Sequence, residues 1–384
     1  MHPPSPLLNA FDWQPRTRLV FGPDTLERVG VLARDLGGRR ALLVTDAGIV
    51  AAGHAGRAVG FIAAAGLQVE VDDVVRENPT TLDVARCVEI ARRAQIDIII
   101  GLGGGSSMDT AKACNFILTN GGEMQDYWGV GKATQPMLPL IAIPTTAGTG
   151  SECQSAALIA DETTHQKMAC LDPKAAARVA ILDPLLTLSQ PARVTAFTGI
   201  DALAHALETA VTRKRTALSA TFSREAFRLC FASLLRVLDA PDDLDARARM
   251  QLGAAFAGTA IENSMLGAAH SAANPLTAHH DVVHGQAVGL MLPGIMRFNA
   301  ALPATAAHYA ELAANAGLGS VPELIARVEE VVAHAGLRAP LREFGVTREA
   351  IPALAEEAAR QWTATFNPRA ISAEDFARLY EEAL

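Results

Sequence analysis

The chain has 384 residues, half of them apolar and 19% charged, with a formal net charge of −8. That acidic balance, without any Lys/Arg run, excludes the basic face a nucleic-acid partner needs. Five cysteines (Cys87, Cys114, Cys153, Cys170 and Cys230) are scattered without a CxxC pair, which excludes a thiolate zinc framework and fits reduced thiols in the cytoplasm.

No window approaches the roughly 20 apolar residues of a membrane span, so no membrane association is expected. The opening Met-His-Pro-Pro-Ser-Pro has no basic region ahead of an apolar one, and no signal peptide is expected. The length predicts two domains.

Residues 18–21 read as a strand, and 41–45 as a second, closed by Asp46-Ala-Gly. Residues 67–71 alternate like a half-buried strand. Residues 82–94 carry a helical pattern, and 97–101 form a β-branched run suited to a strand covered on both faces. Gly103-Gly-Gly-Ser106 follows it and opens a helix; residues 140–144 form the next strand. Strand–helix alternation predicts a Rossmann-like parallel sheet. Near Ser189-Gln-Pro191 the texture changes. Alanine-rich helical patterns follow at 202–212, 217–238, 246–262 and 304–316, with Pro241, Pro275, Pro293 and Pro303 read as breaks between helices. The division expected is a dinucleotide-binding α/β domain over 1–188 and a helical metal-binding domain over 189–384.

Two sets of residues carry chemistry. The glycine run lets a ligand approach the backbone at a helix N-terminus, whose free N–H groups and partial positive charge suit a pyrophosphate. It is neither the G-x-G-x-x-G fingerprint nor a Walker A loop. Asp46 either accepts from a ribose 2′-hydroxyl, favouring NAD over NADP, or caps the following turn. In the second half Asp201 and His205 stand at i and i+4, on one face of a helix, and His270 and His284 follow. One carboxylate and three imidazoles suit Fe²⁺ or Zn²⁺. A metal and a nucleotide in one chain point to metal-assisted redox chemistry. Cys153 has no base paired with it and reads as a small wall residue; Trp128 and Phe256 are candidate walls of a substrate pocket.

Three motifs carry a family resemblance over nearly the whole chain: Gly103-Gly-Gly-Ser-Ser-Met-Asp-Thr-Ala-Lys112, Ile143-Pro-Thr-Thr-Ala-Gly-Thr-Gly-Ser-Glu152, and Thr198-Gly-Ile-Asp-Ala-Leu-Ala-His205-Ala-Leu-Glu208 with His270 and His284. The chain resembles the iron-containing (group III) alcohol dehydrogenases. The resemblance implies a dehydroquinate-synthase-like fold with a cleft between its domains, and hydride transfer between a primary alcohol or diol and NAD. It implies Asp201, His205, His270 and His284 as ligands of Fe²⁺, with Zn²⁺ as the other candidate. It gives cofactor roles to Asp46, Asn78, Gly103, Gly104, Gly105, Ser106, Asp109, Thr145, Thr146, Thr149 and Lys167, and it implies a homodimer. Asn274 stands where many relatives have a second, proton-relaying histidine, so no catalytic side chain is expected beyond the metal site; water, the cofactor ribose, His279 or His280 must carry the proton. Gly294 also departs from the family, where a histidine is frequent. Glycerol-dehydrogenase-like and maleylacetate-reductase-like relatives on the same fold are the alternatives among enzymes. A non-catalytic metal- and nucleotide-binding regulatory dimer is the alternative outside them.

Overall fold

The computed structural model describes residues 10–164 and 166–384; the opening hexapeptide lies outside them. The chain divides into two compact units. One comprises Trp13–Thr146 and Gly150–Gln190, the other Pro191–Leu384 with the short segment Ala147–Thr149.

The first unit is built on a parallel six-stranded sheet, as the strand–helix alternation predicts. Its strands are β1 (Arg18–Phe21), β2 (Arg40–Val44), β3 (Gln68–Asp72), β4 (Ile98–Gly103), β6 (Leu140–Pro144) and β9 (Val179–Leu182), in the order β1-β9-β6-β4-β2-β3. Every residue of β4 and β6 is buried, which is why both read as unbroken apolar runs. The helices between them are α1 (Val29–Asp35), α2 (Ala47–Ala51), α3 (His54–Ala64), α4 (Thr81–Arg93) and α5 (Gly105–Asn120). Helix α4 starts with a capping box in which Thr80 and Asp83 satisfy each other's backbone N–H groups. Burial works against charge on Asp83, yet Arg76, the Thr80 N–H and Arg86 outweigh it and hold its pKa down at about 2.

A second sheet was not legible in the sequence. It consists of β5 (Gly129–Val130), β7 (Ala156–Ala160) and β8 (Lys167–Leu171), with β7 and β8 antiparallel. Ala-Ala-Leu-Ile-Ala and Lys-Met-Ala-Cys-Leu carry few β-branched residues and little alternation, so their propensity signal is weak; pairing and burial of Ala157, Ile159, Met168 and Cys170 make them strands.

The second unit is helical throughout its regular elements: α6 (Ala192–Thr209), α7 (Ala217–Asp239), α8 (Leu244–Ser264), α9 (Ala268–His280), α10 (His284–Ala300), α11 (Pro303–Asn315), α12 (Val321–His334), α13 (Ile351–Arg360) and α14 (Ala373–Ala383). Two sequence expectations are corrected here. Helix α6 starts at Ala192, ten residues ahead of the expected 202, because Thr195, Thr198 and Gly199 obscure its apolar pattern; Thr195 is buried and accepts from the buried Arg247. Pro275 and Pro293 do not separate helices but lie inside α9 and α10. Each deletes one backbone donor, at a typical cost of about 3 kcal/mol. Both rings are buried, and tertiary packing rather than propensity holds these helices.

Candidate functional site

Asp201 and His205 lie in the middle of α6, where nearly every residue is buried. His270 lies in the first turn of α9, and His284 is the first residue of α10. Gly285 explains how His284 can come in so close: a Cβ there would fall on the Phe197 carbonyl of α6. The Nε2 atoms of His270, His205 and His284 stand 3.3, 3.4 and 3.9 Å from one atom, Asp201 Oδ1. Ligand atoms of Asp201, His270 and His284 lie within 4.8 Å of one another. The His205 ring stacks on that of His270, with centroids 4.8 Å apart.

This donor set fits a divalent transition metal. Bonds of about 2.0–2.1 Å in tetrahedral geometry put donor atoms about 3.3–3.4 Å apart, close to the separations found. Asp201, His205 and His270 have side chains only 5–6% exposed, while His284 is 30% exposed, so the cluster is open on one side. A closed structural site lacks such an opening, and a catalytic one needs it.

Glu208 closes the third motif without an expected role. Counting from Asp201, positions 201, 205 and 208 share one helix face, so the spacing held the signal. Buried Glu208 accepts from the Ala269 N–H at 2.7 Å, and its Oε2 lies 2.5 Å from His270 Nδ1. A carboxylate on Nδ1 fixes the tautomer and leaves the Nε2 lone pair for a metal. Burial opposes charge on His270, yet Glu208 and Asp201 outweigh it and push its pKa up to about 10. Burial drives His205 down, and the imidazoles hold Asp201 well below the usual carboxylate range against the effect of burial. Two buried carboxylates, Asp201 and Glu208, lie among the three imidazoles, so a cation bound there would meet negative charge. Glu208→Gln keeps the shape and removes the charge; metal affinity is expected to fall about 10–100-fold in a competition titration with a chelator. Unchanged affinity would remove Glu208 from the centre.

The α/β unit holds a second constellation. Strands β2 and β4 are neighbours, but the chain runs from β2 outward to β3 and then back to β4, so the carboxyl ends of β2 and β4 flank a topological switch point. Ligands of open α/β sheets bind at such points. Gly103 ends β4 with φ +152, in a region L side chains rarely adopt, and a Cβ there would fall on Ser107 Oγ and within 3.2 Å of Asp46 Oδ2. Gly104 is the N-cap of α5; Gly105 and Ser106 open its first turn. Asp46 takes the capping role its position suggested. It caps α2 by accepting from the Ile49 N–H at 3.1 Å, and its other oxygen accepts from Ser107 at 3.3 Å beside the glycine turn. Ser107 was not singled out from the sequence. The Thr145 N–H donates to the Gly103 carbonyl at 3.0 Å, and Thr146 packs over Gly104.

Asn78, Thr149, Asp109 and Lys167 complete the set the resemblance implies. Asn78 is exposed, in a left-handed conformation (φ 53), on the connection from β3 to α4. Thr149 belongs to the segment Ala147–Thr149, grouped with the helical unit, where a Cβ on Gly148 would fall on Thr198. Asp109 is engaged within the fold: Ser151 Oγ donates to it at 2.7 Å and the Leu158 N–H at 3.3 Å. Beside it the wholly buried Lys112 donates to the Ser151 carbonyl, Ser151 Oγ and the Ala156 carbonyl at 2.6–2.9 Å. Lys167 opens β8, and its charge acts on Asp109. Asp109 therefore braces α5 from behind. Trp128 is 44% exposed ahead of β5, Phe256 packs on Phe222, Cys153 is buried, and Gly294 faces Leu379. His279 is bonded to Glu357 at 2.6 Å near the far end of α9.

The family model described as iron-containing alcohol dehydrogenase matches residues 15–184, and the model of the C-terminal part of the Fe-containing alcohol dehydrogenase family matches residues 195–384. The chain is 33% identical to the NAD-dependent methanol dehydrogenase of Bacillus methanolicus, over 95% of this chain and 97% of that protein. It is 35% identical to the lactaldehyde reductase of Escherichia coli K12, over 98% of both. The crystal structure of a 1,3-propanediol oxidoreductase superposes with a TM-score of 0.93 at 32% identity, covering 98% of this chain and 100% of that one.

Proposed function

The chain belongs to the iron-containing alcohol dehydrogenase family, and we propose that within it the protein oxidises short primary alcohols or diols with NAD⁺, and reduces the matching aldehydes, at a centre formed by Asp201, His205, His270 and His284. The observation that carries the ligand assignment is the convergence of three imidazole nitrogens on Asp201 Oδ1 at 3.3–3.9 Å. Fe²⁺ or Zn²⁺ held there supplies Lewis acidity, which lowers the pKa of an alcohol hydroxyl and polarises a carbonyl.

The remaining work falls to side chains and backbone. Glu208 holds His270 in one tautomer, and the exposed flank of His284 admits substrate. Gly103, Gly104, Gly105 and Ser106 receive the pyrophosphate on the N-terminus of α5. Asp46 accepts from the ribose and disfavours a 2′-phosphate. NAD⁺ held there would accept a hydride from the carbinol carbon while the hydroxyl lost its proton to solvent, so that alcohol and NAD⁺ would become aldehyde, NADH and H⁺. The Asn274 carboxamide cannot act as a base near neutral pH, and His279 is tied to Glu357; we assign proton exit to water. Five free, buried cysteines accord with a reducing cytoplasm, and among the described residues no helix is long and apolar enough to cross a membrane. We place the protein in the cytoplasm, as a homodimer like that expected from the family resemblance.

The test is anaerobic NAD⁺ reduction with a panel of short alcohols and diols. Production of NADH by the Fe²⁺-loaded protein, lost on chelation, is the expected result. Tight NAD⁺ binding with no turnover of any alcohol would favour the regulatory reading. Asp46→Ser should raise the NADP⁺/NAD⁺ ratio of kcat/KM by at least about tenfold, through loss of a like-charge opposition; an unchanged ratio would place cofactor selection elsewhere.

A further inference from the structure

We propose that Asn274 and Gln361 form a hydroxyl-reading pair beside the metal-ligating turn of α9, and that they direct the enzyme to substrates with a second oxygen: short diols and hydroxyaldehydes. The inference rests on the assignment of His270 as a metal ligand and deepens it.

Asn274 follows His270 by four residues in α9, so the two side chains leave one face of the helix, with Cβ atoms about 5–6 Å apart. The segment that follows α13 is fastened to α9 at three places. Asn274 Nδ2 donates to Gln361 Oε1 at 3.1 Å, the Ser271 and Thr363 hydroxyls are 2.8 Å apart, and the Ala268 N–H donates to Asn367 Oδ1 at 3.3 Å. Asn367 is itself held by a reciprocal pair of bonds with Asn299, at 2.7 and 3.0 Å. Gln361 is therefore a fixed wall next to the ligand-bearing turn.

The Asn274–Gln361 bond uses one polar group from each amide and leaves one of each kind over. Asn274 Oδ1, an acceptor, and Gln361 Nε2, a donor, have no further protein partner among the described residues, and neither atom is buried. The spare acceptor of one amide and the spare donor of the other together match a hydroxyl, which donates and accepts at once. A methyl group satisfies neither and would strip both of water, the arrangement by which a polar site rejects an apolar analogue. Placed one helical turn from a metal ligand, the pair suits a hydroxyl carried one or two carbons from the reacting carbon. Where a relay histidine would exchange protons, this chain has an amide that can only recognise.

The experiment compares kcat/KM for 1,2-propanediol and 1,3-propanediol with that for 1-propanol in wild type, Asn274→Leu, Gln361→Leu and the double variant, all Fe²⁺-loaded and checked for metal content and thermal midpoint. Wild type is expected to prefer at least one diol. Each single variant should lower the diol/1-propanol ratio about tenfold, chiefly through KM of the diol, as expected for loss of one hydrogen-bonding partner. The double variant should lose little more, because the two amides act as one unit. Gln361 precedes a 3₁₀ turn rather than sitting within a long helix, so Gln361→Leu gives a reading even if Asn274→Leu fails to fold. Wild-type turnover with no preference, or metal-replete variants with an unchanged ratio, would overturn this inference alone. Absence of turnover with every alcohol would overturn the dehydrogenase reading beneath it, and both would fall together.

Discussion

His270→Ala is expected to lose bound metal and turnover together. His270 is the ligand whose geometry is most fully determined: its Nε2 faces Asp201 Oδ1 at 3.3 Å, its Nδ1 is held by Glu208, and its ring lies against those of His205 and His284. Truncation removes one donor and also leaves the buried Glu208 carboxylate without its imidazole partner, a loss felt twice in a dry site. The metal's contribution to an alcohol oxidation is several kcal/mol of transition-state stabilisation, so kcat/KM should fall about a thousandfold or more. Metal analysis and NADH production on the same sample check this. A variant that turns over at the wild-type rate while holding no metal would end the proposed chemistry.

Gly103→Val should have the second-largest effect, on the nucleotide. A side chain at φ +152 is strained wherever it points, at a cost of order 1–3 kcal/mol, and here its Cβ would fall on Ser107 Oγ and crowd Asp46 Oδ2. Relief requires Ser107, in the first turn of α5, or Asp46 to move; Asp46 belongs to the proposed cradle and Ser107 is bonded to it. NAD⁺ affinity should weaken at least about tenfold, read by fluorescence or calorimetric titration, while metal content stays at the wild-type level because the helical unit is untouched. A variant that binds NAD⁺ as wild type does would dissociate the glycine turn from the cofactor.

The legible parts of this chain are those where local pattern and tertiary demand agree. The central strands were readable because a strand covered on both faces must be apolar throughout, as Ile98-Ile-Ile and Leu140-Ile-Ala-Ile are. Asp201 and His205 were readable because helical spacing alone puts them on one face. Glu208 continues that face, but its role depends on α9 arriving with His270 and the Ala269 N–H, which no local pattern announces. The β7–β8 pair, the early start of α6 and the two prolines inside helices were hidden for one reason: tertiary packing decided them against weak or contrary propensity. Asp109 stands in the glycine motif, but its bonds to Ser151 and the Leu158 N–H, like those of Glu208, join it to distant parts of the chain that no local pattern announces.

The most direct test of the central claim is an anaerobic titration of metal-stripped protein with Fe²⁺, recording NADH production from NAD⁺ and a short diol at each addition. Activity should rise in step with bound metal and level off at about one equivalent per chain, as a single preformed four-ligand site requires. Full turnover before any metal is added, or a saturated site that never yields NADH, would contradict it.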